Sequence, residues 1–367
     1  MLYYLHLLSA NYVGFNVFRY ITFRAVAATL TALVFTWLIA PGLIRVLQRL
    51  KMGQPLRGKE EVRELADLHS GKKGTPTMGG VLIICSVAFS VLLWVNPEAG
   101  NLAWLALGAM VILGAVGFVD DYLKVIQKKS DGLPGRLKIV AQVLVALGVG
   151  AILLSDPRYA ERAMRLDLPF TRGLTSVDLG WWALLFFAFV VTGSSNAVNL
   201  TDGLDGLATG CTLTVSVVFI VIAYVVGNVD LAHYLYFPYV RNAGELAVFC
   251  GALLGAGLGF LWFNCQPARI FMGDTGSLAI GGALGVVSIC VNEELLLVVA
   301  GGIFVVEALS VILQVASFKL TGKRIFAMSP LHHHFELKGW TESQVTIRFW
   351  IVSLLCALLA LSSLKLR

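Results

Sequence analysis

Residues 196–208 read Asn-Ala-Val-Asn-Leu-Thr-Asp-Gly-Leu-Asp-Gly-Leu-Ala, a polar sequence between two apolar runs that are each long enough to cross a bilayer. An aspartate at the centre of a transmembrane helix is disfavoured by roughly 2.5–3.5 kcal/mol, and by less near the interface. Polar residues at such a boundary are therefore candidates for a functional site. We interpret this stretch as one wall of a polar active site at a membrane face.

The composition of the whole chain agrees with a membrane location. Of its 367 residues, 57% are hydrophobic and 14% are charged, and the mean hydropathy is +0.80. A soluble domain of this size would carry about 25% charged residues. The apolar surplus is more than one globular core buries, so we predict a single membrane-embedded domain over residues 1–367. The net charge of +6 would suggest a nucleic-acid partner in a soluble protein, but in a membrane protein we expect none.

The six cysteines lie mostly inside apolar runs, and the chain has no Cys-x-x-Cys pair. Neither a disulfide framework nor a zinc site is indicated. The first apolar stretch is followed by Pro41 and Arg45 rather than by a small-residue cleavage site, so we expect it to remain as a membrane anchor.

The hydropathy pattern predicts an all-α, polytopic membrane protein with ten spans. A spanning helix needs about 20 apolar residues, and helices are the expected form because backbone groups in lipid must be satisfied internally. The predicted spans are 25–47, 77–96, 101–119, 137–155, 181–198, 207–227, 244–262, 277–292, 293–317 and 347–365.

Ten spans place the connecting loops alternately on two sides of the membrane. The first set comprises 48–76, 120–136, 199–206, 263–276 and 318–346. Counted with two residues beyond each end, these loops carry 18 of the 28 Lys and Arg residues; the other side, with both termini, carries 9, and Arg45 lies within the first span. The positive-inside rule then makes the first set cytoplasmic. Every polar motif described below falls on that cytoplasmic side, which predicts one active-site cleft there.

Asp120 and Asp121 end the third predicted span. Carboxylates are disfavoured at the negative end of a helix dipole, and neighbouring helical positions point about 100° apart. One aspartate can therefore bind a cation while the other contacts substrate or a supporting group. The alternative is a pair of solvated acids neutralised by Lys124 and Lys128.

Asp202 and Asp205 lie three residues apart in Thr-Asp-Gly-Leu-Asp-Gly, where the glycines permit tight turns and close approach of a ligand. Asp205 could instead be the N-cap of the sixth span. A cap explains one aspartate but not the cluster with Asn196, Asn199 and Thr201, so we favour a functional role.

Asp274 lies in Phe271-Met-Gly-Asp-Thr-Gly-Ser277, between the seventh and eighth spans. This sequence can present backbone N–H groups and a carboxylate at a helix start, an arrangement suited to phosphate and its metal ion. Helix capping by Asp274 or Ser277 is the alternative.

Two further polar segments join this group. Lys72 and Lys73 precede Gly-Thr75-Pro in a basic loop that lacks the Walker order, and they either hold anionic groups or only set topology. Pro330-Leu-His332-His333-His334-Phe-Glu follows the ninth span; phosphate contact or proton handling near neutral pH is plausible for these histidines. Glu307 and Gln314 share a helix face, which is more typical of helix packing than of catalysis.

No Ser-His-Asp arrangement and no Rossmann signature accompanies these motifs. Carboxylates, amides, lysines and histidines at a membrane face suit a Mg²⁺-dependent phosphoryl or pyrophosphoryl reaction on a lipid.

Taken together, five motifs in this order resemble the phospho-N-acetylmuramoyl-pentapeptide transferases, which belong to the polyprenyl-phosphate N-acetylhexosamine-1-phosphate transferase family. The motifs are Lys72-Lys-Gly-Thr-Pro-Thr-Met-Gly-Gly80, Asp120-Asp121, Asn196 to Gly206, Phe271 to Ser277, and His332-His-His334. The resemblance runs from about Gly14 to the C-terminus. It implies an inner-membrane homodimer that transfers phospho-MurNAc-pentapeptide from UDP-MurNAc-pentapeptide to undecaprenyl phosphate, giving lipid I and UMP in the first membrane step of peptidoglycan synthesis.

The resemblance also implies residue roles. Asp274 is expected to bind Mg²⁺, and Asp120 and Asp121 to lie beside the metal and the lipid phosphate, with His333 as a fourth catalytic residue. The expected substrate-binding residues are Lys73, Thr75, Asn196, Asn199, Asp202, Asp205, Asn264, Phe271, Gln314, His332 and His334, with Phe271 stacking on the uracil.

The reaction exchanges one phosphoanhydride for another, so it needs no ATP site. We favour direct attack by the lipid phosphate, with Asp120 accepting a proton or orienting the acceptor, over a covalent phospho-enzyme. A related enzyme that transfers GlcNAc-1-phosphate is the alternative function. A secondary transporter is a third reading, but transporters place their site near the midplane between inverted repeats, and the sequence has no such repeat.

Overall fold

The computed structural model of the protein describes residues 1–50, 74–125, 132–171 and 176–366, and it is almost entirely helical. Two 3₁₀ helices come first, at Leu2–Ala10 and Val13–Arg19. The α-helices are α1 (Ile21–Arg49), α2 (Gly80–Trp94), α3 (Asn101–Val125), α4 (Gly135–Ser155), α5 (Ala160–Ala163), α6 (Trp182–Thr201), α7 (Leu207–Val226), α8 (Val229–Tyr234), α9 (Gly244–Asn264), α10 (Gly273–Cys290), α11 (Glu294–Ala300), α12 (Gly302–Thr321), α13 (Leu331–Leu337) and α14 (Glu342–Leu366).

Among the described residues, nine helices are long and apolar enough to cross a membrane. These are α1, α3, α4, α6, α7, α9, α10, α12 and α14. The second predicted span is occupied by α2, which has only 15 residues. The prediction of an all-α polytopic membrane protein is therefore confirmed, while ten crossings and a cytoplasmic cleft remain predictions.

The predicted span 293–317 was wrong as a single helix. The chain forms α11 and α12, separated at Gly301. Adjacent glycines favour such a break because they lack the side chains that stabilise a continuous helix. Gly302 also packs directly against Cys356 of α14. Beyond the break, α11 packs on α14, whereas α12 contacts α6 as well as α14.

The core is built around α9 and α10, whose residues are almost all buried. α9 contacts α1, α2 and α7, and α10 contacts α3, α6 and α2. Gly251, Gly255 and Gly259 let α9 approach the backbone or Thr side chains of α1, and Gly281 and Gly285 let α10 approach Ser194 and its neighbours on α6. These glycines therefore permit close packing of the helices.

One end of the bundle carries short secondary structure between the helices. A two-stranded antiparallel hairpin pairs β1 (Arg165–Asp167) with β2 (Ser176–Asp178), with Leu166 opposite Val177. At the same end Arg24 makes a buried ion pair with Glu245, Nη2 to Oε1 at 2.6 Å. This pair joins α1 to α9.

The segments between helices converge at the other end, which we call the polar end. It comprises residues 74–79, 132–134, 202–206, 265–272 and 322–341. The Gly79 N–H donates to the Phe271 carbonyl at 2.8 Å, and the Ala268 N–H donates to Asp205 Oδ2 at 3.0 Å. Motifs that are distant in the chain therefore share one surface of the bundle.

Candidate active site

Three carboxylates form the centre of the polar end. Asp120 and Asp121 lie in the last turns of α3, and Asp274 lies in the first turn of α10. One oxygen from each lies within 4.8 Å of the others, which makes the group a possible metal site. Asp120 and Asp121 are buried, and Asp274 is half-buried. Gly117 allows α3 to approach the Asp274 backbone closely enough for this arrangement.

Two lysines neutralise this group. Lys124 Nζ lies 2.6 Å from Asp120 Oδ2 and 3.2 Å from Asp274 Oδ2. Lys138 Nζ, from the first turns of α4, lies 3.0 Å from Asp120 Oδ1 and 2.6 Å from Asp274 Oδ2. Lys124 thus neutralises Asp120, as the alternative interpretation of the aspartate pair predicted. Lys128 lies outside the described residues. Three carboxylates against two ammonium groups leave the cluster with a formal charge of −1.

Asp121 differs from Asp120 in its partners. Its carboxylate accepts hydrogen bonds from the Asp274 N–H (3.2 Å), the Thr275 N–H (3.0 Å) and the Thr275 hydroxyl (2.7 Å). The first N–H groups of a helix have no partner within the helix, and a carboxylate there is favoured by the helix dipole. Asp121 therefore fixes the start of α10, while Asp120 is held by lysines and by the Leu133 N–H at 2.7 Å.

The Asp274 side chain does not cap α10 but is oriented by a hydrogen bond from a neighbouring helix. The start of α10 has no side-chain cap, and Ser277 Oγ donates to the Gly273 carbonyl. Asn199 Nδ2, from the end of α6, donates to Asp274 Oδ1 at 3.0 Å and to Ser277 Oγ at 2.8 Å. The amide leaves Oδ2 of Asp274 facing the lysines.

Asn196 lies one turn deeper on α6. Its Nδ2 donates to Gln142 Oε1 at 2.8 Å and to the Thr192 carbonyl at 2.8 Å. The structure thus places the Asn196 amide against α4, beside the carboxylate cluster but not in contact with it among the described residues. Its role in substrate binding stays a prediction.

Asp202 ends α6 and is half-buried at the polar end. Burial, and then the negative charges of Asp274, Asp121 and Asp205, raise the pKa of Asp202 to about 8, against an ordinary value of 3.8. A backbone N–H of Gly273 opposes this shift. The Asp202 side chain is therefore mostly protonated at neutral pH.

Asp205 and Asn264 join neighbouring loops. The residue at the N-cap of α7 is Gly206, at φ +74°, so Asp205 is not the cap. Asp205 instead accepts from the Ala268 N–H, while Asn264 Oδ1 accepts from the Gly206 N–H at 3.1 Å and the Thr209 hydroxyl at 3.0 Å. Both side chains are buried. Their hydrogen bonds fix the loop that precedes α7 against the loop that follows α9.

Thr75 and Phe271 lie on paired loops. The Phe271 N–H donates to the Pro76 carbonyl at 2.8 Å, and Thr75 Oγ1 lies 3.4 Å from the Ala268 carbonyl, to which it donates. Phe271 is half-buried. Lys73, predicted to bind the nucleotide, lies outside the described residues.

The three histidines begin α13, and each has a different environment. His332 is buried with Nδ1 3.2 Å from Glu307 Oε2, and His333 Nδ1 lies 2.7 Å from Glu336 Oε2. His334 Nδ1 accepts from the Ala327 N–H at 3.1 Å. The backbone of Gly203 lies against the His332 ring, where a side chain would clash. This contact brings the histidine segment to the Asp202 loop.

Glu307 and Gln314 of α12 hold that segment in place. Glu307 accepts from the backbone N–H groups of Leu331 (2.8 Å) and His332 (3.1 Å), which are the first of α13. Gln314 Oε1 accepts from the Ile325 and Phe326 N–H groups, both at 3.0 Å. Both side chains thus stabilise the backbone of this segment, as the shared helix face indicates, and the substrate contact of Gln314 stays a prediction.

Three site residues were missed in the sequence analysis. Lys138 lies near the start of a span, where a lysine is typical of topology alone. Thr275 was hidden within the Asp274 motif. Glu342 accepts from the Asp205 N–H at 2.9 Å and from Gln266 Nε2 at 3.0 Å. The only available signal was their position in the loops that the topology places together.

Comparison with known proteins agrees with this geometry. Residues 103–292 match the family described as glycosyl transferase family 4, and residues 72–84 match the first signature of phospho-N-acetylmuramoyl-pentapeptide-transferase. The matches include both halves of the carboxylate cluster and the segment that pairs with Phe271.

Full-length relatives carry the same name. Phospho-N-acetylmuramoyl-pentapeptide-transferase of Methylacidiphilum infernorum is 60% identical over 100% of both chains. The proteins of that name from Solidesulfovibrio magneticus and Syntrophus aciditrophicus are 51% and 50% identical, again over 100% of each chain. With more than half of its length matched by the family model, and full-length relatives at this identity, the chain belongs to the phospho-N-acetylmuramoyl-pentapeptide transferase family of membrane proteins.

Proposed function

We propose that the chain transfers phospho-MurNAc-pentapeptide from UDP-MurNAc-pentapeptide to undecaprenyl phosphate, releasing UMP and forming lipid I. Full-length relatives with the transferase name support this activity. The observation that carries the assignment to a site is the carboxylate–lysine cluster at the polar end. An apolar groove lies beside this cluster. The charged phosphate of a lipid substrate could therefore bind at the cluster while its hydrocarbon tail binds in the groove.

The groove has a volume of about 860 Å³ and lies between α4, α6 and α12. Its lining on α6 extends from Trp182 to Leu200, a rise of about 27 Å at 1.5 Å per residue. That length approaches the thickness of a bilayer's hydrocarbon core, about 30 Å. Leu200 directly follows Asn199, which contacts Asp274. A polyprenyl tail in this groove would therefore bring its phosphate to the cluster while remaining in an apolar environment.

The donor set of the cluster fits Mg²⁺. Hard carboxylate oxygens are the ligands that Mg²⁺ prefers, and the residual negative charge of the cluster favours an additional cation. Asp274 would hold the ion, with Asp120 beside it. Asp121 contributes less because three donors from Asp274 and Thr275 already occupy its oxygens. When bound, Mg²⁺ supplies charge neutralisation for the diphosphate.

The residues of the chain would supply the rest. Both substrates are anionic, and the lysine ammonium groups of Lys124 and Lys138 reduce the repulsion between them. Asn199 keeps the Asp274 carboxylate in one orientation. Phosphoryl transfer depends mainly on in-line placement and electrostatic stabilisation, and these side chains provide both without an ATP site.

Direct attack by the lipid phosphate is the mechanism we favour. That phosphate already carries a nucleophilic oxygen, so a covalent relay adds little. Asp120 is held by two lysines and by the Leu133 N–H, which suits a role in orienting the acceptor. Isolation of a stable ³²P-labelled enzyme after incubation with the nucleotide substrate alone would contradict direct attack.

The remaining assignments follow from the family. We place the protein in the bacterial inner membrane as a homodimer, with the polar end facing the cytoplasm. The excess of Lys and Arg in the loops of the polar end supports this orientation. The predicted substrate contacts of Lys73, Thr75, Asp202, Asp205, Asn264, Phe271, Gln314 and the three histidines complete the site.

The decisive experiment is UMP release by the purified protein from UDP-MurNAc-pentapeptide, with and without undecaprenyl phosphate and Mg²⁺. We expect release only when all three are present. Parallel reactions with UDP-GlcNAc test the alternative transferase. Faster transfer of GlcNAc-1-phosphate than of the muramoyl substrate would overturn the proposed specificity.

A further inference from the structure

A buried polar network lies inside the bundle one helical turn below the carboxylate cluster. Gln142 of α4 is fully buried, and its Nε2 donates to Ser195 Oγ at 3.0 Å. Ser195 Oγ in turn donates to the Leu278 carbonyl of α10 at 3.0 Å. Gln142 Oε1 accepts from Asn196. The network therefore links three helices, α4, α6 and α10, through hydrogen bonds within the apolar part of the protein.

The same three helices meet again at the cluster. Lys138, Asn199 and Asp274 come from α4, α6 and α10, and the last accepts hydrogen bonds from the other two. Positions four residues apart lie on the same face of a helix, one turn from each other. Lys138 is four residues from Gln142, Asn199 is four from Ser195, and Asp274 is four from Leu278. The lower layer therefore joins the same three helices one turn below the upper one.

Apolar packing alone does not select the axial position of α4. This helix has few buried residues, and its neighbour α6 offers mainly hydrocarbon surface. A buried polar contact selects one register, because any slip leaves its donors and acceptors unpaired in an apolar surrounding. Gln142 uses both the Nε2 donor and the Oε1 acceptor of its side-chain amide in this way.

We infer that Gln142 is a positioning residue for the transfer reaction: with Ser195 it sets the register of α4 and so holds Lys138 Nζ against Asp274. This inference rests on the proposed assignment of the carboxylate–lysine cluster to the reaction. Displacement of a catalytic group by about 1 Å can cost about 10²-fold in rate. The residue acts through geometry and contacts no substrate.

The first test compares matched serine variants. Ser195→Ala breaks the link below the site, and Ser90→Ala breaks a similar link, from Ser90 Oγ to the Ala28 carbonyl at 2.8 Å, between α2 and α1. Both serines are fully buried. We expect both to lower the Tm in detergent by similar amounts, but only Ser195→Ala to lower kcat, about tenfold, with KM for the nucleotide unchanged within a factor of two. Equal kcat values for the two variants would overturn the inference.

The second test is a double-mutant cycle with Gln142→Leu and Lys138→Ala. If Gln142 acts through Lys138, Gln142→Leu lowers kcat about tenfold or more in the wild-type background, and less than twofold in the Lys138→Ala background. Equal factors in both backgrounds would mean a general structural effect and would contradict the inference. Gln142→Glu, which keeps the acceptor for Asn196, should recover part of kcat. If Gln142→Leu does not fold, Ser195→Ala takes its place in the cycle.

Asp274→Asn in the same assay separates the two levels of the proposal. Full activity of Asp274→Asn would remove the cluster from the reaction, and the proposed site would fail. Loss of activity in Asp274→Asn with normal kcat in Gln142→Leu and Ser195→Ala would refute the positioning role alone.

Discussion

Lys138 Nζ lies 2.6 Å from Asp274 Oδ2, although 136 residues separate the two in the chain. The lysine approaches from the start of α4 and the aspartate from the start of α10, and the same ammonium group also reaches Asp120 at 3.0 Å. The contact is only partly exposed to solvent. It joins the carboxylate cluster to the groove-lining helix α4, and several expected outcomes follow from it.

Asp274→Asn should lower the rate of UMP release by about 10³-fold, because the amide removes the carboxylate that we assign to Mg²⁺ and its charge. The remaining activity should depend less on Mg²⁺. The fold should survive, since Asn199 and the backbone of α10 keep their other partners. A Mg²⁺ titration of purified protein measures both effects, with Tm as the check on folding. Near-normal turnover would exclude Asp274 from the metal site.

Lys138→Ala should lower kcat by about 10²-fold, because one of two ammonium groups that screen the substrate charges is lost. Its removal also leaves the three carboxylates more negative, so the Mg²⁺ concentration for half-maximal activity should fall. Lys319→Ala, an exposed lysine at the end of α12, is the control and should retain wild-type kinetics. If Lys138→Ala instead needs more Mg²⁺, the Lys138 ammonium group does not compete with Mg²⁺ for the carboxylates as we propose.

Asp202 should make stability depend on pH in metal-free buffer. Burial raises its pKa to about 8, so between pH 3.8 and about 8 the folded chain binds a proton at Asp202 that the unfolded chain has released. Stability falls with rising pH wherever the folded state binds more protons. The Tm of the wild type should therefore decrease relative to that of Asp202→Asn between pH 6 and pH 8.5. Parallel pH profiles of the two proteins would contradict the raised pKa.

Gly203→Ala should displace His332, because the added methyl group would overlap the imidazole ring. The histidine segment then moves away from the Asp202 loop, and we expect kcat to fall about tenfold through misplacement of site residues. Gly108→Ala in α3, where a methyl group meets no neighbouring atom, serves as the control and should be as active as wild type. If Gly203→Ala is as active as Gly108→Ala, the contact between Gly203 and the His332 ring does not contribute to activity.

Gly193→Leu should obstruct the groove, since this glycine lines it and faces open space. We expect the KM for undecaprenyl phosphate to rise about tenfold, equivalent to about 1.4 kcal/mol of binding, while the KM for the nucleotide stays within a factor of two. Gly148→Leu on α4 also meets open space but lies outside the residues that line the groove. It should leave both constants unchanged. An equal rise in both KM values would place the tail elsewhere.

The histidine motif shows what a local sequence pattern can predict and what it cannot. Three consecutive histidines on a regular helix cannot all bind one metal ion, since helical metal-binding pairs are typically four residues apart. The structure gives each a different partner: Glu307, Glu336 and the Ala327 backbone. Nothing near His332 in the sequence identifies Glu307 as its partner, because the two are 25 residues apart in separate helices. The break at Gly301 was missed for a related reason: hydropathy is continuous across it, and only the three-dimensional structure shows two helices there, the second of which also packs on α6.

The sequence by itself determined the class of protein and the face that carries its polar motifs. Length and hydropathy are properties of each segment, and the bilayer constrains segments one at a time, so an all-α bundle with Asp120, Asp202 and Asp274 in loops of one set could be predicted. Only the tertiary structure decided which polar groups meet: Lys138 with Asp274, Asp121 with Thr275, Gln142 with Ser195. These contacts depend on the axial register and rotation of helices that are distant in the chain. Close packing at glycines of α3, α9 and α10, together with buried polar contacts such as that of Gln142, sets this register, rather than any local preference.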